Sequence, residues 1–94
     1  MGHEFRIRFN SSERARLWDM LKSIPEAAER TVPRPAIDYR APSTTGPMPD
    51  ATLEATSEGF YFCDHGGEGR HFLGIVVALL SRDHCPVTVE ELDP

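Results

Sequence analysis

Apolar and polar residues change period several times along this chain, and each change marks an element. Residues 4–10, Glu4-Phe5-Arg6-Ile7-Arg8-Phe9-Asn10, alternate with period two. That is the pattern of a half-buried strand showing Phe5, Ile7 and Phe9 to a core. The period then lengthens. Leu17, Met20, Leu21 and Ile24 recur at i, i+3, i+4 and i+7, one apolar helical stripe with Trp18 at its edge. Asn10 is placed to cap this helix, with Glu13 three residues on in the reciprocal position. Pro25 stops it, and Ser23-Ile24-Pro25-Glu26 predicts a short second helix through Ala27, Ala28 and Glu29.

Pro33, Pro35, Pro42, Pro47 and Pro49 punctuate the next stretch and leave a short strand over 36–41. Proline confines such a strand to the sheet edge or to its own ends. Residues 42–50 form a Pro-rich loop without periodicity, expected to be mobile. Segments 52–57 and 60–63 then predict a hairpin around Glu58-Gly59, with Gly59 supplying the positive φ of a tight turn. A two-residue turn sets Ser57 opposite Phe60, Ala55 opposite Phe62 and Leu53 opposite Asp64. Leu53, Ala55, Phe60 and Phe62 then share one side of the sheet, and Glu54, Thr56, Tyr61 and Cys63 the other.

Beyond this hairpin the chain runs through the glycine turn 66–69 into a helix predicted over 68–82. That helix is apolar nearly all round, apart from a stripe of Arg70, Gly74, Ala78 and Arg82. The small Gly74 and Ala78 would admit another backbone, so such a helix suits a sheet with further cover or a subunit interface. Val87-Thr88-Val89-Glu90 alternates again as a last strand, and residues 91–94 are an acidic end.

This succession predicts an α+β fold. The expected form is a ferredoxin-like split β-α-β arrangement, a mainly antiparallel sheet with two helices on one face and an extra hairpin strand. The opposite face would show Arg6, Arg8, Asp38, Arg40, Glu54, Thr56, Tyr61, Cys63, Thr88 and Glu90. Residues 1–94 make a single domain, since so short a chain has no room for two cores. Hydrophobic residues at 39% and charged residues at 27% are ordinary globular values. The longest apolar run, 72–80, is far shorter than the roughly twenty residues of a membrane helix, and no continuous apolar block opens the chain. A soluble, cytoplasmic protein is the expectation, with no membrane partner.

The net charge of -5 is unevenly spread along the sequence. Residues 1–47 carry eight Lys or Arg against six Asp or Glu, whereas residues 48–94 carry two against nine. An acidic second half disfavours nucleic acid, whose phosphates reward clustered cations, and favours a basic protein surface. The aromatic run Phe60-Tyr61-Phe62 offers no stacking platform either, because the hairpin pattern sends Phe60 and Phe62 inward.

Candidate chemistry gathers around residues 63–71. A strand leading through Gly66, Gly67 and Gly69 into a helix start can present backbone N–H groups to an anion, with Arg70 and His71 nearby. Neither a dinucleotide fingerprint nor a P-loop ending is present, and Glu68 adds a repelling charge. The glycines equally serve a plain strand-to-helix connection. A metal centre would draw on Cys63, Asp64, His65 and His71, but their spacing is not that of structural zinc. The helix returns antiparallel to its strand, which puts His84 and Cys85 about 20 Å from Cys63. A Cys63–Cys85 disulfide is therefore not expected. Cys63 and His65, at i and i+2 on a strand, share a face as a nucleophile and base would, but no orienting carboxylate is evident, since Asp64 points oppositely.

The residues thus assemble no catalytic group, metal centre or cofactor motif. They point to a small non-enzymatic protein-binding module: an adaptor, inhibitor or immunity-type partner of another, basic protein, or a self-associating homodimer. The alternative is a small-ligand or anion-binding domain using Gly66, Gly67, Gly69, Arg70 and His71 at the helix N-terminus.

Overall fold

The computed structural model describes residues 2–9, 14–82 and 86–92. Its elements in chain order are β1 (His3–Phe9), α1 (Arg14–Lys22), β2 (Ala27–Arg30), β3 (Ala36–Tyr39), β4 (Ala51–Ala55), β5 (Gly59–Asp64), α2 (Gly69–Ser81) and β6 (Val87–Leu92). The six strands form one open sheet in the order β2-β3-β4-β5-β1-β6. Every neighbouring pair is antiparallel. β5 and β6 flank β1, so they run in the same direction, and α2 joins them.

Alternation decides which face of this sheet is covered. Phe5, Ile7, Ile37, Tyr39, Leu53, Phe60 and Phe62 are buried on one side, together with Leu17 and Leu21 of α1 and Phe72, Val76 and Leu80 of α2. The rings interlock across the layers. Tyr39 stacks on Phe72 with centroids 5.3 Å apart. Trp18 and Phe9 approach Phe60 at 6.0 and 5.2 Å. Each fully buried large side chain contributes about 2–3 kcal/mol of transfer free energy, and a well-placed aromatic pair adds about 1 kcal/mol. Both helices therefore hold to the same face, and the other face is left to polar residues.

Several expectations are corrected. The strands number six, because Ala27–Arg30 forms a strand and not a short helix. A single helical turn cannot repay its own nucleation, whereas β2 gains a full ladder against β3, from Ala27↔Tyr39 to Arg30↔Ala36. Glu29 on β2 also accepts a 2.9 Å hydrogen bond from Trp18 Nε1, which ties the strand to α1. β3 is consequently interior, so of the two placements open to the prolines they take the one at the strand's own ends. Its flanking Pro35 and Pro42 lie outside the ladder and cost it nothing. The added hairpin also means that the strand count and order go beyond the ferredoxin-like scheme. What stands is an α+β fold with an open antiparallel sheet and two helices.

The β4–β5 register is offset by two residues from the expected one: Ala55 faces Phe60, Leu53 faces Phe62 and Ala51 faces Asp64. A shift of two preserves sidedness, so Leu53, Phe60 and Phe62 remain on the core side as expected. Ala55 shares that side but is exposed. The turn has moved one residue back, from Glu58-Gly59 to Ser57-Glu58, because Thr56 and Gly59 close it: Thr56 N–H donates to the Gly59 carbonyl at 2.9 Å, and Gly59 N–H to Thr56 Oγ1 at 3.1 Å. Gly59 is not among the positive-φ glycines. It is needed for close approach, because a Cβ there would collide with the Ile7 carbonyl on β1. The Asn10–Glu13 cap lies outside the described residues, as do His84 and Cys85. Among the described residues no helix is long and apolar enough to cross a membrane.

Candidate functional site

The glycine turn is structured from within. Gly66 and Gly67 have φ of 115° and 55°, which side chains rarely adopt. Gly66 N–H donates to Asp64 Oδ1 at 2.8 Å. Asp50, 5% exposed, reaches in from the preceding loop and accepts the Glu68 N–H. It also accepts the Ala41 N–H at 2.8 Å and the Thr44 hydroxyl at 2.7 Å. A Cβ at Gly69 would strike the Asp64 carboxylate. Two of the chain's own carboxylates thus occupy the place where an external anion would sit. Burial by itself would raise the Asp50 carboxyl. The Ala41 N–H, the Thr44 hydroxyl, the Glu68 N–H and the Arg40 charge together hold it below the ordinary range.

Arg70 meets this turn only through Asp64, and His71 faces elsewhere. Arg70 Nε lies 3.7 Å from Asp64 Oδ2, and its guanidinium sits over the Phe5 ring at 5.3 Å. His71 lines a separate hollow with Pro42 and Ser43. The 42–50 loop is fastened by Arg40, which donates to the carbonyls of Gly46 at 2.7 Å and Pro47 at 3.1 Å.

The uncovered sheet face carries a more connected arrangement. Register sets Asp38 beside Thr52, Thr52 beside Cys63, and Cys63 beside Glu4, a single row across four strands. Arg30 Nε donates to Asp38 Oδ2 at 2.8 Å, and Thr52 Oγ1 donates to Asp38 Oδ1 at 2.8 Å. Thr52 Oγ1 also stands 2.9 Å from His65 Nε2. Its only proton is committed to Asp38, so the imidazole must carry hydrogen on Nε2. In the neutral ring with that tautomer, Nδ1 is the acceptor, 3.6 Å from Cys63 Sγ. The carboxylate that strand register brings to this pair, through Thr52, is Asp38, which the sequence did not reveal.

These residues floor a groove of about 500 Å³, whose rim includes Pro47, Met48 and Pro49. A second hollow of about 620 Å³ continues it across the face through the shared Arg34, Glu54 and Tyr61. Burial, then the Glu4 carboxylate, push the Cys63 thiol above its ordinary range. Asp64, one of the residues on which a metal centre would have drawn, points to the helix side and is buried there. Among the described residues no three His, Cys, Asp or Glu side chains gather as a metal centre would need.

Charge that is uneven along the sequence is evened out in space. Glu90 pairs with Arg8 at 2.9 Å and with Arg6 at 3.4 Å, and Glu54 pairs with Arg34 at 2.7 Å. Acidic groups of the second half thereby meet basic groups of the first on the open face. At the side of the sheet, β6 is an edge strand of six residues, and its Val89 is 40% exposed. Comparison with protein-family models, with curated proteins and with solved structures finds no match for this chain.

Proposed function

We propose that this chain is a small non-enzymatic module that binds a protein by extending its sheet at β6. The occupant would be a partner of the adaptor, inhibitor or immunity-target kind, or a second copy of the chain. The observation that carries this reading is the state of the β6 edge. Sheet edges are usually blunted by shortness, proline, lysine or outward charge. β6 spans six residues without proline or lysine. Its two acids are drawn back along the sheet, Glu90 to Arg6 and Arg8 and Glu91 to His3. The far edge, β2, is only four residues long. An unpaired strand of this kind offers main-chain hydrogen bonds to an added strand.

In this reading β1, β4, β5, β6 and the two helices form a ferredoxin-like split β-α-β core, with β2 and β3 as a hairpin added on the side away from β6. A strongly basic partner fits less well than the sequence suggested, since Glu54 and Glu90 already have arginine partners. Light scattering at low and high salt tests the proposal. Main-chain pairing survives high salt, where the Debye length shrinks to about 3 Å. The expected result is a salt-insensitive dimer, or a complex with a recovered partner, that Val89→Lys dissociates while leaving the fold intact. A chain that is monomeric at every salt concentration and recovers nothing in pull-downs would sink the reading.

A further inference from the structure

We infer that Cys63 is a modification site: a groove-facing thiol that exchanges with a low-molecular-weight disulfide, with His65 taking its proton. The inference stands apart from the β6 proposal and uses a different part of the molecule. It rests on a directed chain of contacts. Asp38 accepts from Thr52, Thr52 accepts from His65 Nε2, and His65 Nδ1 faces Cys63 Sγ at 3.6 Å. Thr52 is 6% exposed, so this orientation is built into the sheet. The groove above, at about 500 Å³, falls in the size range of small-molecule sites.

The surroundings select the chemistry. Cys63 lies within β5, paired to β1 on one side and β4 on the other. Among the described residues, the neighbouring amides are committed to those ladders or, for His65, to the Asp50 carbonyl, and offer no N–H pair to hold the oxyanion that acyl transfer would require. Displacement at sulfur develops no such charge. Among the described residues, the charged and titratable groups facing the pair are Glu4 from β1, Arg30 from β2, Arg34 from the β2–β3 connection, Asp38 from β3, Glu54 from β4 and Tyr61 from β5. Burial and Glu4 raise the thiol above its ordinary range, so an adjacent base is what lets it react near neutral pH.

The step balances without a further reagent. The Cys63 proton passes to His65 Nδ1, and the sulfur attacks one sulfur of the disulfide. A new S–S bond forms as the old one breaks, and the departing thiolate takes the proton from His65. The incoming disulfide is the oxidant: one of its halves leaves as a reduced thiol, and Cys63 becomes a mixed disulfide.

Oxidised glutathione added to the whole chain, with peptide mass mapping to separate Cys63 from Cys85, tests this. Cys63 is expected to gain one glutathionyl group. At neutral pH the rate should fall roughly tenfold in His65→Gln and Thr52→Val and stay near wild type in Thr52→Ser. The rate profile of His65→Gln should also shift to higher pH. Far-UV circular dichroism checks each variant, and His65→Asn replaces any His65→Gln that does not fold. An unmodified Cys63, or one modified at the same rate in every folded variant, overturns the inference.

Discussion

The hydroxyl of Tyr39 on β3 donates a hydrogen bond to the main-chain carbonyl of Leu21, 3.1 Å away and fully buried, joining the sheet to the last turn of α1. Carbonyls at a helix C-terminus have no partner within the helix, so this contact satisfies one that would otherwise be buried and unpaired. Tyr39→Phe should cost about 1–2 kcal/mol, measured by urea denaturation. An unchanged midpoint would show that water reaches the Leu21 carbonyl.

The same burial makes the fold sensitive to alkali. Burial pushes the Tyr39 hydroxyl above its ordinary range, and burial and a 2.7 Å hydrogen bond to Glu4 do the same for Tyr61. An acid whose folded value is raised holds its proton longer when folded. Its stabilising contribution is complete below the unfolded value, about 10 for tyrosine, and is lost as pH rises beyond it. Melting temperature should therefore fall steeply above pH ~10, and less steeply in Tyr39→Phe. A flat alkaline limb would contradict the burial of these hydroxyls.

Asp50 gives the opposite limb. Its carboxyl is held below the ordinary range, so its contribution is present above the unfolded value of about 4 and disappears as pH falls through the lower folded value. Asp50→Ala should cost about 2–3 kcal/mol at neutral pH, since the Ala41 and Glu68 amides lose a charged acceptor. It should also flatten the loss of stability below pH ~4. A variant that keeps the wild-type acid limb would assign that limb to other carboxylates.

Two glycines separate close approach from open space. Gly59→Ala must push β1 away, because the Ile7 carbonyl occupies the position of the new methyl. It should cost about 1–3 kcal/mol. At Gly74, on the exposed side of α2, an added Cβ meets nothing within 4 Å. Gly74→Ala should raise stability by about 0.5–1 kcal/mol through helix propensity. If thermal denaturation instead shows Gly74→Ala to be destabilising, and light scattering shows a changed mass, the stripe of Gly74 and Ala78 is a helix contact between copies.

How far the sequence revealed this molecule depends on whether a feature is periodic or cross-strand. The burial of Phe60 and Phe62, the turning of Tyr61 to the opposite face, and α2 itself all follow from local alternation, and the structure agrees with each. The span Ala27–Arg30 did not yield to the same treatment. Its caps favour a helical turn locally, and only the unpaired edge of β3 makes it a strand. The register of β4 against β5 was hidden for a similar reason, since it depends on the Thr56–Gly59 hydrogen bonds and not on the Glu58-Gly59 dipeptide.

The candidate site divides in the same way. Cys63 and His65 are neighbours in sequence, and alternation alone places them together. Thr52 and Asp38 stand 13 and 14 positions from the residues they bond. Their meeting is a product of strand register, for which Asp38 and Thr52 carry no local signal. Sequence could likewise suggest anion binding at Gly66, Gly67 and Gly69, but not that Asp50 would fold back over the turn.

The sidedness of the sheet underlies every surface named here, and through-space proton contacts measure it directly. Nuclear Overhauser spectra should connect the Phe60 ring to Trp18 on α1, the Tyr39 ring to Phe72 on α2, and neither helix to the side chains of Tyr61, Cys63 or Thr52. Contacts from Tyr61 or Cys63 to α1 or α2 would place a helix over the groove, and would contradict both the open face and the use proposed for Cys63 on it.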